Sequence, residues 1–137
     1  KQYNIALNSA DDAIKLKNNY SEAYSLKGEI YSLENKKYDA IKYFTIAIEK
    51  AKYRKERFLI KRAKFYKNNN DCKNAIIDFQ ESRKINKNYW AAWLGETECS
   101  IILKNKQNAK MALAEYSKLK PSDKEIKILE NKIKLLR

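Results

Sequence analysis

The sequence predicts an all-α fold of stacked helix pairs, and three observations carry that prediction. The 137 residues include only two Gly and one Pro, too few for hairpins and phosphate loops, while 44% apolar and 34% charged content is ordinary for a helical protein. A pattern of small and aromatic residues also returns at a near-constant interval. Gly28, Tyr31, Ala40, Phe44 and Ala47 recur 35 residues later as Ala63, Tyr66, Ala75, Phe79 and Ser82. Finally, each interval splits into two amphipathic stretches of helical period, parted by polar Asn/Lys breaks at 34–37, 68–71 and 104–108. Neither helix of such a pair can bury its apolar face alone, so successive pairs must stack.

Eight helices follow, near 3–17, 21–34, 37–53, 56–68, 71–85, 89–104, 106–119 and 122–136. The first carries Ala6, Ala10 and Ala13 as the second member of a pair, so the array is expected to continue upstream of Lys1, where the chain opens without an initiator Met. In the next helices Gly28, Ala40, Ala63, Ala75 and Ala109 fall where neighbours approach closely, and Tyr24, Phe44, Phe79 and Trp93 fill the space between them. Ala109 and Leu113 extend the register 34 residues beyond Ala75 and Phe79, and Pro121 closes that unit as a helix stopper. Trp90, first in its helix, either wedges the turn or offers a contact.

These residues resemble the tetratricopeptide repeat, whose 34-residue pattern runs aromatic, Leu-Gly, Tyr, then Ala, Phe and Pro. In the first full repeat Tyr24, Gly28, Tyr31, Ala40, Phe44 and Ala47 stand in place, with Lys27 at the Leu and Lys52 at the Pro. Leu59, Ala63, Tyr66, Ala75 and Phe79 match in the second, and Trp93, Ala109, Leu113 and Pro121 in the third. Thr97 at the Gly position and Ser100 at the Tyr position are departures expected to weaken that helix pair. The resemblance implies an α-solenoid of helix-turn-helix units wound as a right-handed superhelix, a single domain over 1–137. It divides into a half repeat at 1–20, repeats at 21–54, 56–89 and 90–121, and a C-terminal capping helix at 122–137. The family's packing positions assign the cap: Lys127, Asn131 and Lys134 face away from any partner, while Ile126 and Ile133, joined by Leu129 and Leu136, pack on the preceding repeat.

Composition narrows the chemistry. With no His and no C-x-x-C spacing, the usual general base and most zinc sites are unavailable, so neither enzyme, metal nor cofactor is expected. Cys72 and Cys99 are expected as two small buried thiols in a reducing compartment, with a disulfide between them as the alternative. No apolar stretch approaches the length of a membrane span, and a cytoplasmic location is expected. The formal charge of +13 points to acidic partners, although 25 Lys, 14 Asn, 15 Ile and 10 Tyr, all with AT-rich codons, make part of it compositional.

Function on such a scaffold must come from its surfaces. The family's co-chaperone clamp needs Lys, Asn, Asn, Lys and Arg at five positions, which here read Ser25, Glu29, Lys61, Ala91 and Gly95, so the clamp is absent. The groove positions implied by the resemblance supply Arg57, Ile60, Lys64 and Lys67 with Lys61 beside them, then Leu94, Glu98 and Ile101, then Ile128 and Leu135. A protein or peptide partner is expected, with an acidic segment over the cations and an apolar anchor over Leu94, Ile101, Ile128 and Leu135. Burial of Ile101 and Ile128 by the cap is the competing outcome. Two alternatives stand beside this reading. One is a basic solenoid binding RNA or DNA through Tyr53, Arg54, Lys55, Arg57, Lys61, Arg62, Lys64 and Lys67, a stripe without a base-stacking platform. The other is a self-association or bridging segment of a larger complex.

Overall fold

A computed structural model describes residues 2–137, and within them the chain forms eight α-helices and no strand. These are α1 (Gln2–Leu16), α2 (Ser21–Leu33), α3 (Lys37–Lys50), α4 (Lys55–Asn68), α5 (Cys72–Ile85), α6 (Trp90–Ile102), α7 (Lys106–Leu119) and α8 (Glu125–Lys134). They group into an N-terminal and a C-terminal compact unit, the division falling between Arg62 and Ala63 inside α4. No described helix is long and apolar enough to cross a membrane.

Most helix ends lie within two residues of the sequence pattern, and the two that differ by three have local causes. The α3 helix stops at Lys50 because Ala51 is extended and Arg54 takes a left-handed φ of 54°. The α8 helix starts at Glu125, where the Asp123 side chain accepts the Glu125 N–H at 2.9 Å. Within each pair, the first helix is closed by one recurring turn. Asn35, Asn70 and Lys104 adopt φ near 59°, 62° and 59°, and the N–H of the following residue reaches back to Tyr31, Tyr66 and Ser100 at 2.9, 2.9 and 2.8 Å. Asn tolerates this conformation better than other side-chain-bearing residues, which explains the Asn-rich breaks. Asp71 and Asn105 then cap the next helix, accepting from the N–H groups of Asn74 and Asn108.

In the N-terminal unit α2 packs on α1 and α3. Gly28 permits the approach of α3, since a Cβ there would lie 2.7 Å from the Phe44 ring. Lys27, at the position where the repeat pattern has Leu, is 8% exposed. Its ammonium donates to Asp11 of α1 at 2.6 Å and lies 4.3 Å from the centre of the Tyr43 ring of α3. Burial works against its charge, but the bonds to Asp11 and Tyr43 outweigh it and hold the ammonium above its ordinary pKa. Arg62, 35 residues further on, donates to Thr45 of α3 at 2.9 Å.

The C-terminal unit is built on Trp93, Ala109, Ala112, Leu113, Tyr116, Leu129 and Ile133, with Leu94, Ile101, Leu119 and Ile126 packed around them. Leu129 and Ile133 thus seat α8 on its neighbours, while Lys127, Asn131 and Lys134 are exposed. Gly95 admits Phe79 so closely that a Cβ would meet its ring at 2.2 Å. Glu96 is fully buried and carries its own donors: Arg83 at 2.5 and 3.3 Å, Gln80 at 3.1 Å and Asn108 at 3.1 Å. Asn108 also donates to Ser100 at 2.7 Å, and Thr97 to the Trp93 carbonyl at 2.8 Å. The two departures expected to loosen this helix pair are therefore fully buried and hydrogen-bonded instead.

Cys72 and Cys99 form a disulfide with Cα atoms 5.2 Å apart, which replaces the two thiols expected of a reducing compartment. The cause is geometric. The turn joining α5 and α6 lies about midway between them, so helices that double back on each other bring both cysteines to one level.

Three outcomes follow for stability. Gly95→Ala should lose more than Gly28→Ala, because overpacking costs about 1–3 kcal/mol and the helix-propensity gain of about 1 kcal/mol offsets only the milder clash; urea unfolding of the two variants compares them directly. Arg83→Met should cost about 3–5 kcal/mol by leaving the Glu96 carboxylate buried beside neutral amides, and a loss under 1 kcal/mol in the same assay would contradict the role given to this ion pair.

The third outcome concerns pH. Burial, the hydrogen bond to Asp123 and the Asp123 charge hold the Tyr116 phenol above its ordinary value, and the bonds from Tyr116 and the Glu125 N–H hold Asp123 below its own. The Asp123 contribution is intact above the ordinary carboxyl range of about pH 4 and disappears as pH falls through the lowered value. The Tyr116 contribution is intact below the ordinary phenol value and declines as pH rises beyond about 10. Tyr116→Phe should therefore flatten both limbs of the urea-midpoint profile, and a profile parallel to the wild type would refute the coupling.

Candidate functional site

The α4 helix presents its cations on one stripe, but the surrounding helices meet some of them. Lys61 pairs with Glu29 of α2 in the N-terminal unit, and Lys67 with Glu98 of α6 in the C-terminal unit. Arg57 and Lys64 are exposed and form no ion pair among the described residues. The field offered to an acidic partner is thus narrower than the run of Lys and Arg indicates. Ile60, expected in the groove, is 3% exposed and has no surface to give. The sequence missed this because position along a helix face does not reveal how closely the neighbouring helices crowd it.

In the C-terminal unit the four apolar groove candidates separate. Leu94 and Ile101 are half-buried against the core described above, whereas Ile128 is 47% and Leu135 84% exposed. Ile101 is thus partly covered, and Ile128 is not enclosed. Between α6 and α8 lies a cleft of about 190 Å3 lined by Glu98, Ile101, Ile102, Glu125, Leu129 and Lys132. It joins an apolar floor to charges of both signs. No group of three or more His, Cys, Asp or Glu among the described residues is placed to hold a metal ion.

Two features were not anticipated from sequence. One is a cleft of about 370 Å3 between α7 and α8, bounded by Lys110, Leu113, Ala114, Ser117, Glu130 and Ile133. The other is a cleft of about 230 Å3 in the N-terminal unit, where the turn before α2 meets the turn before α4; Lys17, Tyr20, Lys50, Lys52 and Tyr53 lie on it. The Trp90 ring is tilted against that of Tyr116, with centroids 6.3 Å apart, and is 39% exposed.

No family model and no curated protein sequence matches this one. Solved structures do. The chain is similar to the TPR domain of Arabidopsis OM64 (TM-score 0.73, 20% identity, covering 83% of this chain and 93% of that one). It is likewise similar to the TPR2B domain of yeast Sti1 in its pHsp70 complex (TM-score 0.74, 21% identity, 85% and 98% covered). YrrB, described as a TPR protein with an unusual peptide-binding site, gives a TM-score of 0.74 at 18% identity, over 91% of this chain and 64% of that one. At these identities the likeness establishes the fold.

Proposed function

Given the tetratricopeptide-repeat fold, we propose that the chain is a non-catalytic protein-interaction scaffold that seats a partner segment along the C-terminal half of α4 and along α6 and α8. The observation that carries this reading is the exposure of Ile128 on α8 and of Leu135 at its C-cap. Large aliphatics held open beside a cleft cost solubility unless a partner covers them. Lys64 supplies uncompensated positive charge for acidic residues of the partner, and Leu94 and Ile101 give the apolar anchor a half-buried floor. Two of the similar structures are described by a complex with pHsp70 and by a peptide-binding site, which favours a peptide as the occupant. The clamp positions favour a different peptide from a chaperone tail. Ser25 and Ala91 are buried, Glu29 is tied to Lys61, and Gly95 lies against Phe79.

A panel of labelled peptides that join a Glu run to a Leu-Ile anchor tests the reading by fluorescence anisotropy. Binding should be micromolar, and Ile128→Asp and Leu135→Asp should each weaken it about tenfold or more, the loss of an apolar contact worth roughly 1.5–3 kcal/mol, with thermal unfolding unchanged. A peptide ending in a chaperone-type free carboxylate should not bind. If the two variants instead unfold the C-terminal unit, those side chains are core and the site lies elsewhere.

A further inference from the structure

The positive charge of this chain is unevenly compensated. On α4, Lys61 and Lys67 find carboxylates on neighbouring helices. At the edge of the N-terminal unit formed by the turns before α2 and before α4, Lys17, Lys50 and Lys52 make no ion pair among the described residues, and Glu22 is the one carboxylate on the cleft they rim. Tyr53 stands on that cleft 84% exposed, and Tyr20 is 39% exposed. The Lys17 ammonium lies 5.8 Å from the centre of the Tyr20 ring, and that of Lys50 lies 5.6 Å from the Tyr24 ring. Arg54 adds a further cation directly after Tyr53 in a left-handed turn. The C-terminal unit repeats the device in its own turns, where the Lys120 ammonium lies 4.9 Å from the centre of the half-exposed Trp90 ring.

An occupant that satisfies this edge must be anionic at several points and must bring flat faces to the rings. An acidic peptide meets only the first condition. We propose that this edge binds single-stranded nucleic acid, with bases stacking on Tyr53 and Tyr20 and phosphates held by Lys17, Lys50 and Lys52. Stacking on aromatic side chains beside a cationic track tolerates any sequence, because every base has a π-face and the backbone charge is uniform. The edge shares no residue with the peptide surface on α4, α6 and α8, so either can fail without the other.

The test uses the full chain and a fluorescein-labelled oligothymidylate of about twelve nucleotides, followed by anisotropy near 50 mM salt. Micromolar binding is expected, with the logarithm of the affinity falling linearly as the logarithm of salt rises. Tyr53→Ala should weaken it roughly 5- to 100-fold, the range for losing one base–aromatic stack, and should leave thermal unfolding unchanged because the ring is exposed. Lys50→Glu with Lys52→Glu should weaken it further and reduce the salt slope. The charge-matched control, Lys73→Glu with Lys127→Glu on exposed helix faces, should change it about threefold or less. The proposal is overturned if the oligonucleotide does not bind, if Tyr53→Ala binds like wild type, if the control loses as much as the Lys50 and Lys52 pair, or if an equally labelled dodecaglutamate binds as well as the oligothymidylate.

Discussion

One position, the seventh of each full repeat, places a charge where the pattern of the fold has Leu, and the packing of each repeat depends on how that charge is met. Lys27, Arg62 and Glu96 occupy it. Taking an ion out of water costs several kcal/mol unless partners replace its hydration. Each of these side chains finds partners on helices outside its own: Asp11 and Tyr43 for Lys27, Thr45 for Arg62, and Arg83, Gln80 and Asn108 for Glu96. A slip of one turn between neighbouring helices would leave the ion buried beside apolar groups. An apolar residue at the same place would penalise that slip far less, so the charge selects the register as well as filling space.

This explains which parts of the structure could be read in advance. The helices, the pair turns and the small-to-aromatic contacts follow from periodicity and from residues with strong local preferences, such as Asn35 and Asn70 in left-handed turns and Phe44 over Gly28. Lys27 reads in sequence as a blemish in the pattern, because a single position carries no record of Asp11 sixteen residues earlier. Gly95 was invisible for a related reason: it lies two residues before the position where the pattern places its glycine, and only the path of Phe79 gives it meaning. The charges at 27, 62 and 96 do share the repeat interval, and that spacing was the available signal.

Surface chemistry was less legible than the core. A run of Lys and Arg along α4 looks uniform in sequence, yet the fold sets Glu29 and Glu98 against two of its members and leaves Arg57 and Lys64 open. Ile60 and Ile128 hold the same groove position by count, two repeats apart, yet one is enclosed and the other half-exposed. Repeat position predicts which way a side chain points; what stands opposite it is a property of helices that are distant in sequence. Lys17, Lys52 and Lys87 of the inter-repeat turns do recur at the repeat interval, yet only the meeting of two turns in one unit gathers Lys17, Lys50, Lys52 and the tyrosines around a cleft.

The disulfide between Cys72 and Cys99 has a mechanical consequence. Stretched from its ends, a stack of helix pairs yields by peeling, and each freed residue adds at most about 3.3–3.6 Å of contour. The cross-link carries tension directly from the start of α5 to the third turn of α6 and shields the 27-residue span between them. About 90 Å of slack is thereby withheld. Under load in an oxidising medium this stretch behaves as a short rigid link, and chemical reduction turns the same stretch into extensible chain.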